Sequence, residues 1–139
     1  MERRALACFV FRFLRRPHIV QNDPVQSRLA KPLIEPRSAD DPGFVSIVTL
    51  TEITWVLTTA CGASRDAIGK VVENLLQTQT LVVQLAETAW KALAAYRKGV
   101  ADYADCLIER LGEANQCDAT YIFDKVAARD AGMQFLSSR

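Results

Sequence analysis

The segment Phe44–Leu57, FVSIVTLTEITWVL, joins two patterns that belong to different kinds of secondary structure. Its first five residues, Phe44–Val48, are apolar and largely β-branched, which predicts a short buried strand. Thr49 or Thr51 is then expected to open a helix that Gly62 closes. A strand that leads directly into a helix is the repeating unit of an α/β domain.

The rest of the chain alternates helices and short apolar strands in the same way. This alternation predicts an α/β fold with a mainly parallel sheet of four to five strands, whose ligands gather where the strands end. Pro32 is expected to break the first helix, and Gly99 to end a later one. The further predicted strands are Ala5–Leu14, Thr80–Gln84, Ala119–Phe123 and Met133–Leu136. Two further helices are predicted to begin after the N-caps Asp23 and Ser64, and three more are predicted at Glu87–Lys98, Asp102–Ala114 and Lys125–Gly132. A polar turn is predicted at Arg37–Gly43.

The composition is that of one globular domain. The chain has 139 residues, of which half are hydrophobic and 24% are charged. No apolar stretch reaches the roughly 18 to 20 residues that are needed to cross a bilayer. The four cysteines form no C-x-x-C pair, which disfavours a disulfide framework or a zinc site and predicts reduced thiols in a cytoplasmic protein. They are Cys8, Cys61, Cys106 and Cys117.

Charge is unevenly distributed along the chain. Residues 1–37 hold eight Lys or Arg against three Asp or Glu, a net charge of +5, while residues 38–139 carry −4. This asymmetry fits a surface for an anionic partner such as nucleic acid, and it fits ordinary scatter equally well. Residues 1–18, MERRALACFVFRFLRRPH, resemble a secretory signal in outline. Export is not expected, because Arg12 interrupts the apolar core and no small residues mark a cleavage site.

Four acidic residues stand where predicted helices begin, and each has two interpretations. A carboxylate at a helix N-terminus caps the helix or gains from its dipole, which accounts for each acid alone. Taken together, oxygen ligands without His or Cys suit Mg²⁺ or Mn²⁺, metals that assist phosphodiester hydrolysis. The four are Glu52, four residues after the predicted strand Phe44–Val48, Asp102 and Asp105, three apart on one helix face, and Asp124, directly after Ala119–Phe123.

Other conspicuous side chains give weaker predictions. The single histidine, His18, is expected in a loop, and its isolation disfavours histidine-based catalysis. Trp55 and Trp90 are expected in the core or at an interface. Arg97 and Lys98 fit a contact with an RNA phosphate, but a solvated helix C-terminus is the favoured interpretation.

Three stretches resemble the PIN-domain family, most of all the VapC-type toxins of bacterial toxin–antitoxin pairs. They are NDPVQSRLA at Asn22–Ala30, the opening segment Phe44–Leu57, and KGVADYADCLIERLGEANQCDATYIFDKVAARDAGMQFL at Lys98–Leu136. The likeness runs from about Ile19 to Leu136. It divides the chain into a PIN-like domain at 19–139 and an atypical basic N-terminal segment at 1–18, interpreted as a degenerate first strand.

The resemblance implies a three-layer α/β/α fold and a Mg²⁺- or Mn²⁺-dependent endoribonuclease. By position in the motifs, Glu52, Asp105 and Asp124 match the family's metal-binding and catalytic acids, with Asp102 as an accessory acid. The family also implies an RNA substrate, a cognate antitoxin that covers the active site, and a homodimer.

The chain departs from the family pattern at two positions. The family's first acid corresponds to Phe11, and no acid lies between Glu2 and Asp23; Ile122 stands where a threonine is usual. A catalytically inactive PIN scaffold that binds an antitoxin or dimerises is therefore an alternative. A third reading is a non-nuclease α/β regulator whose acids only cap helices.

Overall fold

The computed structural model describes residues 7–8 and 36–137. Several predictions concern residues outside this part of the chain and stay predictions. They are most of the strand Ala5–Leu14, the helix after Asp23 with its break at Pro32, the segment 1–18 with Phe11, and the loop position of His18.

Helices and short strands alternate along the described residues, as the sequence predicts. Most predicted elements are present, several of them shorter by one to three residues. The described helices are α1 (Ile47–Thr59), α2 (Arg65–Gln77), α3 (Ala86–Lys98), α4 (Tyr103–Ala114) and α5 (Lys125–Ala131). The described strands are β1 (Ala7–Cys8), β2 (Gly43–Val45), β3 (Leu81–Val83), β4 (Tyr121–Ile122) and β5 (Gln134–Phe135).

All strand pairs among the described residues are parallel, but they form two small sheets. Strands β1, β2 and β3 lie side by side in that order, and β4 pairs only with β5. The α/β class and the parallel pairing are thus confirmed, whereas residues 7–8 and 36–137 do not form the predicted single sheet of four to five strands. Strands β4 and β5 share a two-residue ladder, and α5 provides the crossover that their parallel pairing requires.

Serine side chains set the starts of α1 and α2. The Ser46 hydroxyl accepts a hydrogen bond from the Thr49 amide at 3.0 Å, and the Ser64 hydroxyl accepts one from the Ala67 amide at 3.2 Å. The cap at Ser64 confirms the prediction. The prediction that Thr49 or Thr51 opens α1 is wrong, because Ser46 is the N-cap and α1 begins at Ile47. Ile47 and Val48, predicted as the end of the strand Phe44–Val48, therefore belong to the helix.

The core lies between the three-stranded sheet and the helices. Its largest fully buried side chains come from β2 and from four helices, and α3 and α4 pack most extensively against each other. The buried Tyr103 ring meets Tyr96 edge to face at 6.0 Å, and its hydroxyl donates to the Ala89 carbonyl at 3.0 Å. These fully buried side chains are Val45, Leu50, Val72, Leu93, Tyr103 and Cys106.

Candidate functional site

Two of the four candidate acids stand in the first turn of α4. Asp102 is the N-cap, and its Oδ1 accepts a hydrogen bond from the Asp105 amide at 2.8 Å. Residues three apart on a helix lie on the same face, so both carboxylates leave the helix on one side. The predicted cap is confirmed, and it uses one oxygen of Asp102.

Asp124 caps the next helix in the same way. Its Oδ1 accepts hydrogen bonds from the amides of Val126, at 2.7 Å, and Ala127, at 2.9 Å. The residue lies two positions after β4 ends, where the sequence predicts an acid at the carboxyl end of a strand. A carboxylate has two oxygens, so the cap at Oδ1 leaves Asp124 able to bind a cation through Oδ2.

The carboxyl of Asp105 is influenced by both of these acids, Asp102 and Asp124. The residue is half-buried, and burial together with the negative charges of Asp102 and Asp124 raises its carboxyl pKa from 3.8 to about 6. Asp124 lies 19 positions further along the chain, so only the fold explains its influence. The acidic cluster, defined as Asp102, Asp105 and Asp124, is therefore a product of the tertiary structure.

Glu52 stands apart from the acidic cluster. Because α1 begins at Ile47, Glu52 lies in its second turn, and the prediction of a first-turn acid is wrong. The side chain is exposed, and its charge is not among those that raise the Asp105 pKa. It does share a face of α1 with Trp55, three residues on.

A cavity of about 250 Å³ separates that face of α1 from the start of α4. Asp102 lines it from one side and Trp55 from the other, with Arg65 between them on α2. Trp55 is 63% exposed, so it does not lie in the core and its place at an interface stays a prediction, whereas Trp90 packs half-buried against the core. The cavity gives a ligand access to one edge of the acidic cluster.

The acidic cluster meets some requirements of a divalent metal site. Its ligands are carboxylate oxygens, which Mg²⁺ and Mn²⁺ prefer, and a cation would relieve the repulsion at Asp105. However, among residues 7–8 and 36–137 no group of three or more His, Cys, Asp or Glu side chains is arranged to hold a metal ion. The carboxylates thus suit the metal chemically, while a closed set of ligands requires movement or a further ligand.

Arg65 and Asp130 are the residues near the site that sequence reasoning misses. Arg65 is the first residue of α2, where a positive charge opposes the helix dipole. That unfavourable placement is the signal that could have drawn attention to it. Nothing in the local pattern distinguishes Asp130, which follows Arg129 near the end of α5.

Comparison of the chain with protein-family models, with curated proteins and with solved structures gave no match. Across the part of the chain that the structure describes, no helix is long and apolar enough to cross a membrane.

Proposed function

We propose that this chain is a VapC-type ribonuclease of the PIN-domain kind, which hydrolyses RNA phosphodiesters with Mg²⁺ or Mn²⁺. The observation that carries the proposal is that Asp102 and Asp124, which cap two different helices, both raise the pKa of the Asp105 carboxyl. The parallel strand pairs and their crossover helices support a three-layer α/β/α arrangement.

The acids divide the work according to their positions. Asp105 is the central ligand of the proposal, because both other members of the acidic cluster raise its carboxyl pKa. Asp102 and Asp124 contribute the oxygens that their helix caps do not use. Glu52, which the resemblance matches to a family acid, stays a candidate ligand on α1 outside the acidic cluster. The bound metal supplies a Lewis acid that activates water and stabilises negative charge on the phosphodiester.

A protein partner belongs to the same proposal. An antitoxin would cover the acidic cluster, and a second copy of the chain would form a homodimer in the cytoplasm. Large apolar side chains stay exposed around β4 and β5, close in sequence to Asp124, which supports a protein-binding surface there. They are Tyr121, Phe123, Val126, Phe135 and Leu136.

The second candidate function is an inactive PIN scaffold that binds an antitoxin or dimerises. The observation that favours it is that the described residues include no group of three potential ligands arranged to hold a metal. The loss of the family's first acid, at Phe11, favours it too, although that position lies outside the described residues.

Calorimetric titration with Mn²⁺, followed by an RNA cleavage assay, separates the two candidates. The ribonuclease proposal expects Mn²⁺ binding and cleavage, both lost in Asp105→Asn, with affinity reduced at least about 100-fold. Glu87→Gln is the matched control, since it neutralises an exposed carboxylate that pairs only with Lys91 on α3. Absence of Mn²⁺ binding by the unmodified chain, or cleavage that persists in Asp105→Asn, would contradict the ribonuclease proposal.

A further inference from the structure

The segment Gly99–Ala101 positions the first member of the acidic cluster, Asp102. These three residues join the end of α3 to Asp102, the N-cap of α4. A connection this short transmits any displacement directly to Asp102, and through its hydrogen bond to the Asp105 amide. Whatever fixes the segment therefore also fixes the first turn of α4.

Arg65 holds this segment by its carbonyl oxygens. Its Nη2 donates to the carbonyls of Tyr96, at 2.7 Å, Gly99, at 2.9 Å, and Ala101, at 2.9 Å. Its Nη1 donates to the Val100 carbonyl at 3.0 Å. One side chain thus donates to four carbonyls, one in the last turn of α3 and three in the segment that follows it, which lie 31 to 36 positions away along the chain.

The charge of Arg65 suits this place for two reasons. The last carbonyls of a helix carry partial negative charge, so a guanidinium is favoured at the C-terminus of α3 although it is disfavoured at the N-terminus of its own helix. The guanidinium carbon also lies 4.0 Å from the centre of the Tyr96 ring, within the range of a cation–π contact. Both interactions orient the planar group towards the segment.

Asp130 holds the same segment from α5. Its Oδ2 accepts a hydrogen bond from the Val100 amide at 3.0 Å, while its Oδ1 lies 2.6 Å from Nε of Arg129. The approach is so close that a Cβ added to Gly99 would stand 2.9 Å from the Asp130 Cβ. A glycine is therefore required at position 99 for contact rather than for a left-handed backbone, since its φ is −126°.

We propose that Arg65 is a positioning residue for the acidic cluster, which it acts on by clamping Gly99–Ala101 against Asp130. It touches none of the three carboxylates through a hydrogen bond or ion pair that the structure records. The effect of Arg65 on metal binding is indirect, and this part of the proposal rests on the function proposed above. The effect of Arg65 on the segment Gly99–Ala101 is independent of that function.

Hydrogen exchange of the full-length chain, read by NMR or mass spectrometry, tests the clamp without any metal. In Arg65→Ala the amides of residues 99–106 are expected to exchange about tenfold faster, with little change elsewhere. Arg65→Lys keeps the charge and supports folding, but its ammonium cannot reproduce the planar fork, so it should restore the slow exchange only in part.

Arg97→Ala is the matched control. Arg97 links α3 to α2 as Arg65 does, but through an exposed ion pair with Glu73 at 2.8 Å and away from the segment Gly99–Ala101. It should leave exchange at residues 99–106 unchanged. Equal acceleration in both variants, or acceleration throughout the chain in Arg65→Ala, would show a general loss of stability and overturn the proposal.

Titration with Mn²⁺ then connects the clamp to the proposed function. Arg65→Ala should weaken Mn²⁺ binding about tenfold, as loss of a supporting contact does at other metal sites, and Arg97→Ala should not. Faster exchange at residues 99–106 with unchanged Mn²⁺ affinity would overturn the positioning role. If the unmodified chain binds no Mn²⁺, the proposed ribonuclease function fails, and the exchange measurement alone decides whether Arg65 clamps the segment.

Discussion

Four of the five described helices begin with a side-chain cap, and these caps are of two kinds; α3, which follows Leu85, has no side-chain cap. Ser46 and Ser64 cap α1 and α2 with a hydroxyl, whereas Asp102 and Asp124 cap α4 and α5 with a carboxylate. Serine and aspartate are about equally good N-caps. Both aspartates nevertheless raise the pKa of the Asp105 carboxyl, so their charges oppose the ionisation of Asp105. Capping explains why these residues are polar but not why two of them are charged.

Replacing both aspartate caps with serine is expected to give the largest effect. Asp102→Ser/Asp124→Ser keeps a cap at each helix and removes two charges from the acidic cluster. Mn²⁺ affinity should fall about 100-fold, while stability against urea changes by about 0.5 kcal/mol or less. Unchanged stability together with unchanged Mn²⁺ affinity would instead mean that both aspartates act only as caps.

Two variants at one position separate charge from capping. Asp124→Ser should weaken Mn²⁺ binding about tenfold without destabilising α5. Asp124→Ala should weaken binding to the same extent and also lower the free energy of unfolding by about 1 kcal/mol, because the amides of Val126 and Ala127 lose their acceptor. Calorimetry and urea unfolding measure the two effects, and equal stability of the variants would refute the assignment of the cap.

Removing a serine cap should have the opposite pattern of effects, a loss of stability without a change in Mn²⁺ affinity. Ser46→Ala removes the acceptor of the Thr49 amide and should cost about 1 kcal/mol in urea unfolding. It should leave Mn²⁺ affinity unchanged, because no carboxylate of the acidic cluster is altered. A change in affinity comparable to that of Asp124→Ser would remove the distinction between the two kinds of cap.

The smallest expected effect concerns pH. Because the pKa of Asp105 is raised to about 6, the folded chain holds this proton more tightly than the unfolded chain does. The resulting stability is complete below about pH 4 and is lost as the pH rises through 6. Solvent screening of this half-buried group limits the loss to about 1 kcal/mol.

Urea unfolding between pH 4 and pH 7 checks this expectation by comparison with Asp105→Asn. The asparagine stays neutral, so the variant should gain stability relative to the unmodified chain as the pH rises. Parallel pH profiles for the two proteins would show that Asp105 titrates without a shift.

Local patterns predict most of the helices, because their signals lie within one or two turns. The Ser64 and Asp102 caps and the end of α3 at Gly99 are read correctly from neighbouring residues. The boundary between β2 and α1 is placed wrongly, because apolar β-branched residues at Ile47 and Val48 suit either structure and the Ser46 cap decides between them. Division into two sheets depends on pairing between distant strands, which spacing does not record.

The candidate site divides in the same manner. Asp102 and Asp105 are predicted as neighbours because residues three apart lie on the same face of a helix. The place of Asp124 is predicted because ligands bind at the carboxyl ends of parallel strands. The separation of Glu52 from the cluster follows from the earlier start of α1. The reach of Arg65 to carbonyls more than 30 positions away has no local pattern at all.

The raised pKa of Asp105 also has an evolutionary consequence. At neutral pH this carboxylate is ionised against burial and two like charges, so the folded state is less stable than it would be with an uncharged side chain. A lineage selected only for folding or for binding a partner would gain by exchanging it for asparagine. Persistence of aspartate at this position among descendants would therefore indicate selection for what the charge does, and its replacement would date the loss of that activity.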